Sequence, residues 1–154
     1  FRRVLFRSFY RKRPMKNPLS ILLIEDDDVA IEATKRCLDK CSTKFPLYVA
    51  TNGLEGLKAL RGEGPHGPLP RNLVVLLDLN MPVMNGFELL EAVRAEESLR
   101  STVIYVLTTS DSDSDRSRAY HNIIAGYMVK SALGPQLANL TRLLENYDAS
   151  ISFP

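Results

Sequence analysis

Apolar residues in this chain follow two rhythms that alternate along its length. Short unbroken apolar runs, bounded by polar or turn residues, have the signature of strands covered on both faces. They occur at residues 20–25 (SILLIE), 47–51 (LYVAT), 73–78 (LVVLLD), 102–108 (TVIYVLT) and 126–129 (GYMV). Between them apolar residues recur at helical spacing. Val29, Ala30, Ala33, Cys37 and Leu38 mark a helix over 29–40, and Leu54, Leu57 and Leu60 another over 53–61. Phe87, Leu90 and Val93 face inward from 86–95, and Leu137, Leu140, Leu143 and Leu144 from 133–146. Residues 113–122 read as a polar, mobile helix. The most hydrophobic strand, 73–78, is expected at the centre. Residues 62–72 (GEGPHGPLPRN) are a loop, because proline at that density permits neither helix nor central strand.

Five strand–helix alternations predict an α/β fold, a five-stranded parallel sheet doubly wound by helices. Right-handed crossovers place helices on both faces. In such sheets the functional crevice lies outside the carboxyl ends of the strands. There is no internal repeat and no linker to a second domain. Only 24 residues follow Lys130, which predicts one helix and a short tail at 147–154, with no separate output domain.

Length and composition agree with one globular unit: 154 residues, 45% hydrophobic and 25% charged, with 8 Gly and 9 Pro. Such a chain buries enough surface to fold without disulfides or a structural metal. Charge changes the picture more. Residues 1–14 carry Arg2, Arg3, Arg7, Arg11, Lys12 and Arg13 and no acid, so +6 of the net +2 sits there and the remainder is −4. The sequence pI of about 8.6 is therefore no nucleic-acid signal. The segment lacks the apolar core of a secretory signal. VLFRS resembles translated adapter sequence, and Met15 reads as the natural start, so residues 1–14 are expected to be a non-native or disordered extension. A mitochondrial presequence or a basic arm binding membrane or nucleic acid is the competing reading.

No apolar stretch approaches the ~18 residues of a membrane span. Cys37 and Cys41 have no second pair or histidine cluster to complete a metal site, so reduced thiols in a cytoplasmic protein are expected. His66 and His121 have no ligand partner nearby in sequence and receive no role.

The chemistry gathers at the strand ends. The first strand runs into Glu25, Asp26, Asp27 and Asp28, the third ends in Asp78, the fourth in Thr108, Thr109 and Ser110, and the fifth reaches Lys130. Two like charges about 4 Å apart repel by about 1 kcal/mol in bulk water and about 4 kcal/mol at an effective dielectric near 20. Converging acids therefore need protons or a cation. With few nitrogen or sulfur ligands nearby, Mg²⁺ held by oxygens is the expected ion. Glu25, Asp26 and Asp78 are its candidate side chains, and the backbone carbonyl of Asn80 a further ligand. A carboxylate beside such an ion points to phosphoryl transfer, with Asp78 attacking phosphorus. Lys130 would pair with one phosphoryl oxygen and Thr108 would hydrogen-bond another. Singly, each residue has a plainer role: an acidic run suits a helix N-terminus, a strand-end Asp suits a turn, and a Lys suits solvent. Their joint occurrence on four strand ends of one sheet favours the functional reading.

With these motifs in place, the chain from about Leu19 to Asn146 resembles a response-regulator receiver domain of two-component signalling. The resemblance rests on LLIEDDD, LLDLNMPVMNG, YVLTTS and GYMVK. It implies a flavodoxin-like (βα)5 fold with strand order 2-1-3-4-5 and Asp78 as phosphoacceptor. It also implies metal-binding acids at Glu25 and Asp26, a switch pair Thr108 and Tyr127, and a phosphate-pairing Lys130. The donor would be a histidine kinase or a phosphotransfer protein. Such a protein catalyses only its own aspartyl phosphorylation and dephosphorylation. Phosphorylation would move Thr108 inward, with Tyr127 following, and change the surface of the fourth helix, fifth strand and fifth helix. One departure stands out. The family usually has Pro after the lysine, with a cis peptide. Here Ser131 follows, and a cis bond there would cost about 2.5–4 kcal/mol, so a trans bond is expected. The loop GEGPHGPLPRN and the stretch LRSTVIYVLTTSDSDSD are similar to small regulators that partner phytochrome-type kinases. Those relatives are often homodimers through the last helix and tail, for which residues 147–154 are available.

Four rivals remain. A flavodoxin-like flavin binder would need a phosphate cradle after the first strand, where EDDD repels phosphate. A haloacid-dehalogenase-type phosphatase would carry DxD after its first strand. A calcium loop fits Asp111, Asp113 and Asp115, but its glycine position holds Arg116 and its closing glutamate position holds Asn122. The last is a receiver-like scaffold that binds partners without phosphorylation.

Overall fold

The structure is a computed structural model and describes residues 18–133 and 137–150; the extension 1–14 lies outside the described residues. Five strands, β1 (Ser20–Ile24), β2 (Leu47–Ala50), β3 (Leu73–Leu77), β4 (Val103–Thr108) and β5 (Gly126–Val129), form one parallel sheet in the order β2-β1-β3-β4-β5. The intervening helices are α1 (Asp28–Asp39), α2 (Gly53–Leu60), α3 (Gly86–Ala95), α4 (Asp113–His121) and α5 (Ala138–Ser150). The expected α/β architecture and strand order are what the structure has, with the most hydrophobic strand, β3, in the middle.

The two-residue period of the strands divides the core. Leu22, Ile24, Val75 and Leu77 point to one face, against α2, α3 and Ala119 of α4. Ile21, Leu23, Val74 and Leu76 point to the other, against α1 and α5. Both faces of β1 and β3 are therefore apolar, which is why these strands read as unbroken runs. Registers such as Ile24↔Leu77 and Leu77↔Val106 bring the carboxyl ends of β1, β3 and β4 level.

Three helical expectations are corrected. Val29 does not line the core of α1; it is 76% exposed, because the Asp27 cap places it in the first turn. The buried stripe is Ile31, Thr34, Cys37 and Leu38, and Thr34 joins it because its hydroxyl donates to the Ala30 carbonyl at 2.9 Å. Leu54 likewise turns outward while Leu57 is buried. The last helix begins at Ala138 rather than 133, after a 3-10 turn over Lys130–Leu133. Leu137, just ahead of the helix, carries φ 57°. At its other end α5 runs past Asn146 to Ser150. Tyr147 stacks edge-on with Tyr105 at 6.2 Å, and Asp148 accepts from the Leu19 amide at 3.2 Å.

Candidate functional site

Each candidate side chain sits at or just beyond the end of a strand. Glu25 and Asp26 follow β1, Asp78 follows β3, Thr108 closes β4 and Lys130 follows β5. Backbone bonds continue the sheet through these positions: the Glu25 amide donates to Ala50 O at 3.0 Å and the Asp78 amide to Ile24 O at 3.0 Å. Glu25 and Asp78 are thereby buried, 2% and 5% exposed, while Asp26 faces solvent.

The three acids converge. One carboxylate oxygen from each of Glu25, Asp26 and Asp78 lies within 4.8 Å of the other two. Lys130 Nζ donates to Glu25 Oε2 at 2.6 Å and stands 3.6 Å from Asp78 Oδ1. Burial is the largest influence on Glu25 and raises its pKa. The Lys130 bond and charge oppose that shift, and the nearby Asp78 reinforces it. Asp78 Oδ2 accepts from the Asn80 amide at 3.2 Å, whereas Asp78 Oδ1 is buried without a hydrogen-bond donor. A buried carboxylate oxygen left in that state favours a cation. An all-oxygen donor set, partly open to water, fits a hard divalent ion such as Mg²⁺.

Thr108 is fully buried, and its Oγ1 accepts from the Ser110 amide at 3.3 Å. Tyr127 is half-buried and its hydroxyl donates to the Ser110 carbonyl at 3.0 Å. The one β4–α4 loop thus receives contacts from both. Asp111 and Asp113 do not form a calcium loop. Both pair with Arg116, at 2.6 and 2.9 Å, and Ser112 caps α4. Among the described residues no peptide bond is cis, so the bond before Ser131 is trans, as expected.

Three contributions escaped the sequence reading. Lys130 is bonded to Glu25. Gly86, at the start of α3, lets that helix lie against the Asp78 backbone; a Cβ there would sit 2.5 Å from Asp78 O. Gly53 does the same for α2 against the loop after β3, with its amide bonded to Met84 O at 2.9 Å. A glycine at a helix start is weak evidence in a sequence, and only the three-dimensional approach gives it meaning.

A parallel doubly wound sheet with an acidic triad and an ammonium at its carboxyl end matches the receiver domains of two-component signalling. The comparisons make this specific: the response regulator receiver domain model matches residues 21–142, and the chain belongs to that family. A probable methanogenesis regulatory protein, FilR2 of Methanothrix harundinacea, is 33% identical over 86% of this chain and 84% of its own length. Response regulator Rcp1 of Synechocystis is 28% identical over 84% of this chain and 88% of its own. Among solved structures, the phosphorylated cyanobacterial phytochrome response regulator RcpA superposes with a TM-score of 0.78 at 27% identity, covering 90% of this chain and 99% of that one. The Mn²⁺-bound form of Rcp1 gives 0.76 at 26% identity, covering 89% and 99%. Among the described residues no helix is long and apolar enough to cross a membrane.

Proposed function

We propose that the chain works as a response-regulator receiver in which Asp78 accepts a phosphoryl group from a histidine kinase or phosphotransfer protein. The convergence of Glu25, Asp26 and Asp78 with Lys130 carries this reading. An oxygen of the Asp78 carboxylate attacks phosphorus, the bond from phosphorus to the donor's nitrogen or oxygen breaks, and the donor leaves with that electron pair. Lys130 stands beside Asp78, where its ammonium offsets charge developing on the phosphoryl oxygens. Thr108 presents a hydroxyl from the adjacent strand end, and Tyr127 responds through the loop both contact.

Glu25, Asp26, Asp78 and the Asn80 carbonyl would hold Mg²⁺. When bound, the ion neutralises charge among the carboxylates and on the phosphoryl group. The Mn²⁺-bound relative supports a divalent ion here, and the phytochrome regulators among the structural neighbours support a phytochrome-type kinase as donor.

The test is intact-protein mass spectrometry after incubation with acetyl phosphate and Mg²⁺. The expected result is a gain of about 80 Da, one phosphoryl group, lost in Asp78→Asn and without Mg²⁺. No gain from acetyl phosphate or from a phosphorylated histidine donor would leave the scaffold reading in its place.

A further inference from the structure

Helix α4 is held to the body in an unusual way. Of its nine residues only Ala119 is buried, so little apolar packing fixes it. Arginines do the holding, and the two ends differ. At the carboxyl end, the Arg94 guanidinium of α3 donates to Asn122 O at 2.8 Å and Ile123 O at 2.9 Å. It also donates to Arg100 O at 2.8 Å and Thr102 O at 3.1 Å, so one side chain ties two loops together. Arg118 adds an ion pair to Glu91 at 2.9 Å and lies 4.2 Å over the Phe87 ring.

The amino end has a lighter fastening. Arg116 pairs with Asp111 and Asp113, whose side chains are 75% and 97% exposed. Its guanidinium carbon stands 5.5 Å from the centroid of the Tyr127 ring. Exposed ion pairs and a cation over an aromatic face are individually weak in water. The Tyr127 hydroxyl bonds a backbone carbonyl of the same loop, so Arg116 covers the ring whose tip already touches that loop.

We propose that Arg116 is a positioning residue, a releasable latch that holds Tyr127 in this placement and couples it to the first turn of α4. The helix then pivots about its Arg94-held end when the latch opens. The inference rests on reading Tyr127 as the switch side chain. It adds the element that sets the switch equilibrium.

The test uses the full chain labelled with 3-fluorotyrosine, with the Tyr127 resonance assigned by Tyr127→Phe. In the unphosphorylated protein, Arg116→Ala is expected to shift or split the Tyr127 resonance. The redistribution between placements should be on the order of threefold to tenfold. The Tyr105 and Tyr147 resonances should stay where they are, which also shows that the variant is folded. Arg116→Lys keeps the charge but loses the planar face, and should displace the resonance in the same direction. A Tyr127 signal unchanged in Arg116→Ala, or one in Arg116→Lys identical to that of the unaltered protein, overturns the latch. Addition of acetyl phosphate and Mg²⁺ to the unaltered protein tests the functional reading separately. If that leaves Tyr127 unmoved while Arg116→Ala moves it, the phosphorylation switch fails and the latch stands.

Discussion

Lys130 and Glu25, 105 residues apart in sequence, meet at 2.6 Å at the rim of the sheet. Glu25 is almost wholly buried and Lys130 largely so. Removing one partner of such a pair strands a charge, whereas replacing both with apolar groups is often nearly neutral. Lys130→Ala is therefore expected to lower stability by about 3 kcal/mol in urea unfolding. The double variant Lys130→Met with Glu25→Leu should regain the part of that loss due to Glu25, while Asp78, 3.6 Å from the same ammonium, still loses its counter-charge. Both should lose phosphorylation by acetyl phosphate. A double variant as unstable as Lys130→Ala would show that the pair does not act as a unit.

Gly86 couples the strand that runs into Asp78 to α3. A methyl group there would lie 2.5 Å from Asp78 O and 2.7 Å from Leu79 Cα, both backbone atoms. Neither can turn aside as a side chain can. Gly86→Ala is expected to cost about 1–3 kcal/mol as overpacking, and to slow phosphorylation by displacing Asp78. Stability by urea and the initial rate with acetyl phosphate report the two effects separately. A rate lowered in step with nothing but the folded fraction would confine Gly86 to packing.

Val83 makes the opposite case. It adopts φ 69° in the loop after β3 and is 76% exposed. A β-branched residue is strained in the left-handed region and here gains little packing in return. Val83→Gly is expected to stabilise the protein by about 0.5–1 kcal/mol, the relief of strain exceeding the added chain entropy. A rise in the thermal midpoint checks it, and a fall would mean that the exposed side chain carries contacts worth more than the strain.

The sheet was legible because β1 and β3 are apolar on both faces, a pattern that needs no long-range information. The site was legible for a related reason. In a parallel sheet the residue after each strand goes to one end, so Glu25, Asp78 and Lys130 could be brought together from strand positions alone. Three features were not legible. Val29 has the right spacing for the α1 core but falls in the first turn, where position along the axis outweighs position around it. The start of α5 follows the positive φ of Leu137, which leaves no periodic trace. Arg94 and Arg116 resemble any solvated helix arginine in sequence; Arg116 does pair with nearby Asp111 and Asp113, but the aromatic face it covers and the carbonyls of Asn122 and Ile123 that Arg94 reaches come from other segments.

The two cysteines allow a test of how tightly α1 and α5 close. Cys37 and Cys41 are both buried and free. The Cys37 thiol donates to Leu137 O at 3.3 Å, just ahead of α5. Burial, reinforced by the neighbouring Cys41, pushes the Cys37 pKa up to about 11 from an ordinary value of 9.0. Only thiolate reacts with an alkylating reagent. At pH 8 the shift alone should slow modification of Cys37 about a hundredfold, and burial should slow it further. Iodoacetamide is expected to leave the native protein unmodified and to add two groups in urea, read by intact mass. The sign of the pH effect follows from the same shift. Because the folded value lies above the unfolded one, the fold favours the neutral thiol. That contribution is complete below about pH 9 and is lost as pH rises toward about 11. Half-buried Tyr105 and Tyr147, whose pKa values partial burial also raises, act in the same direction at higher pH. Urea midpoints should therefore fall on the alkaline side, and Cys37→Ala should flatten the part between pH 9 and 11. Rapid single alkylation of the native protein at pH 8 would mean that the α1–α5 face opens far more readily than its packing implies.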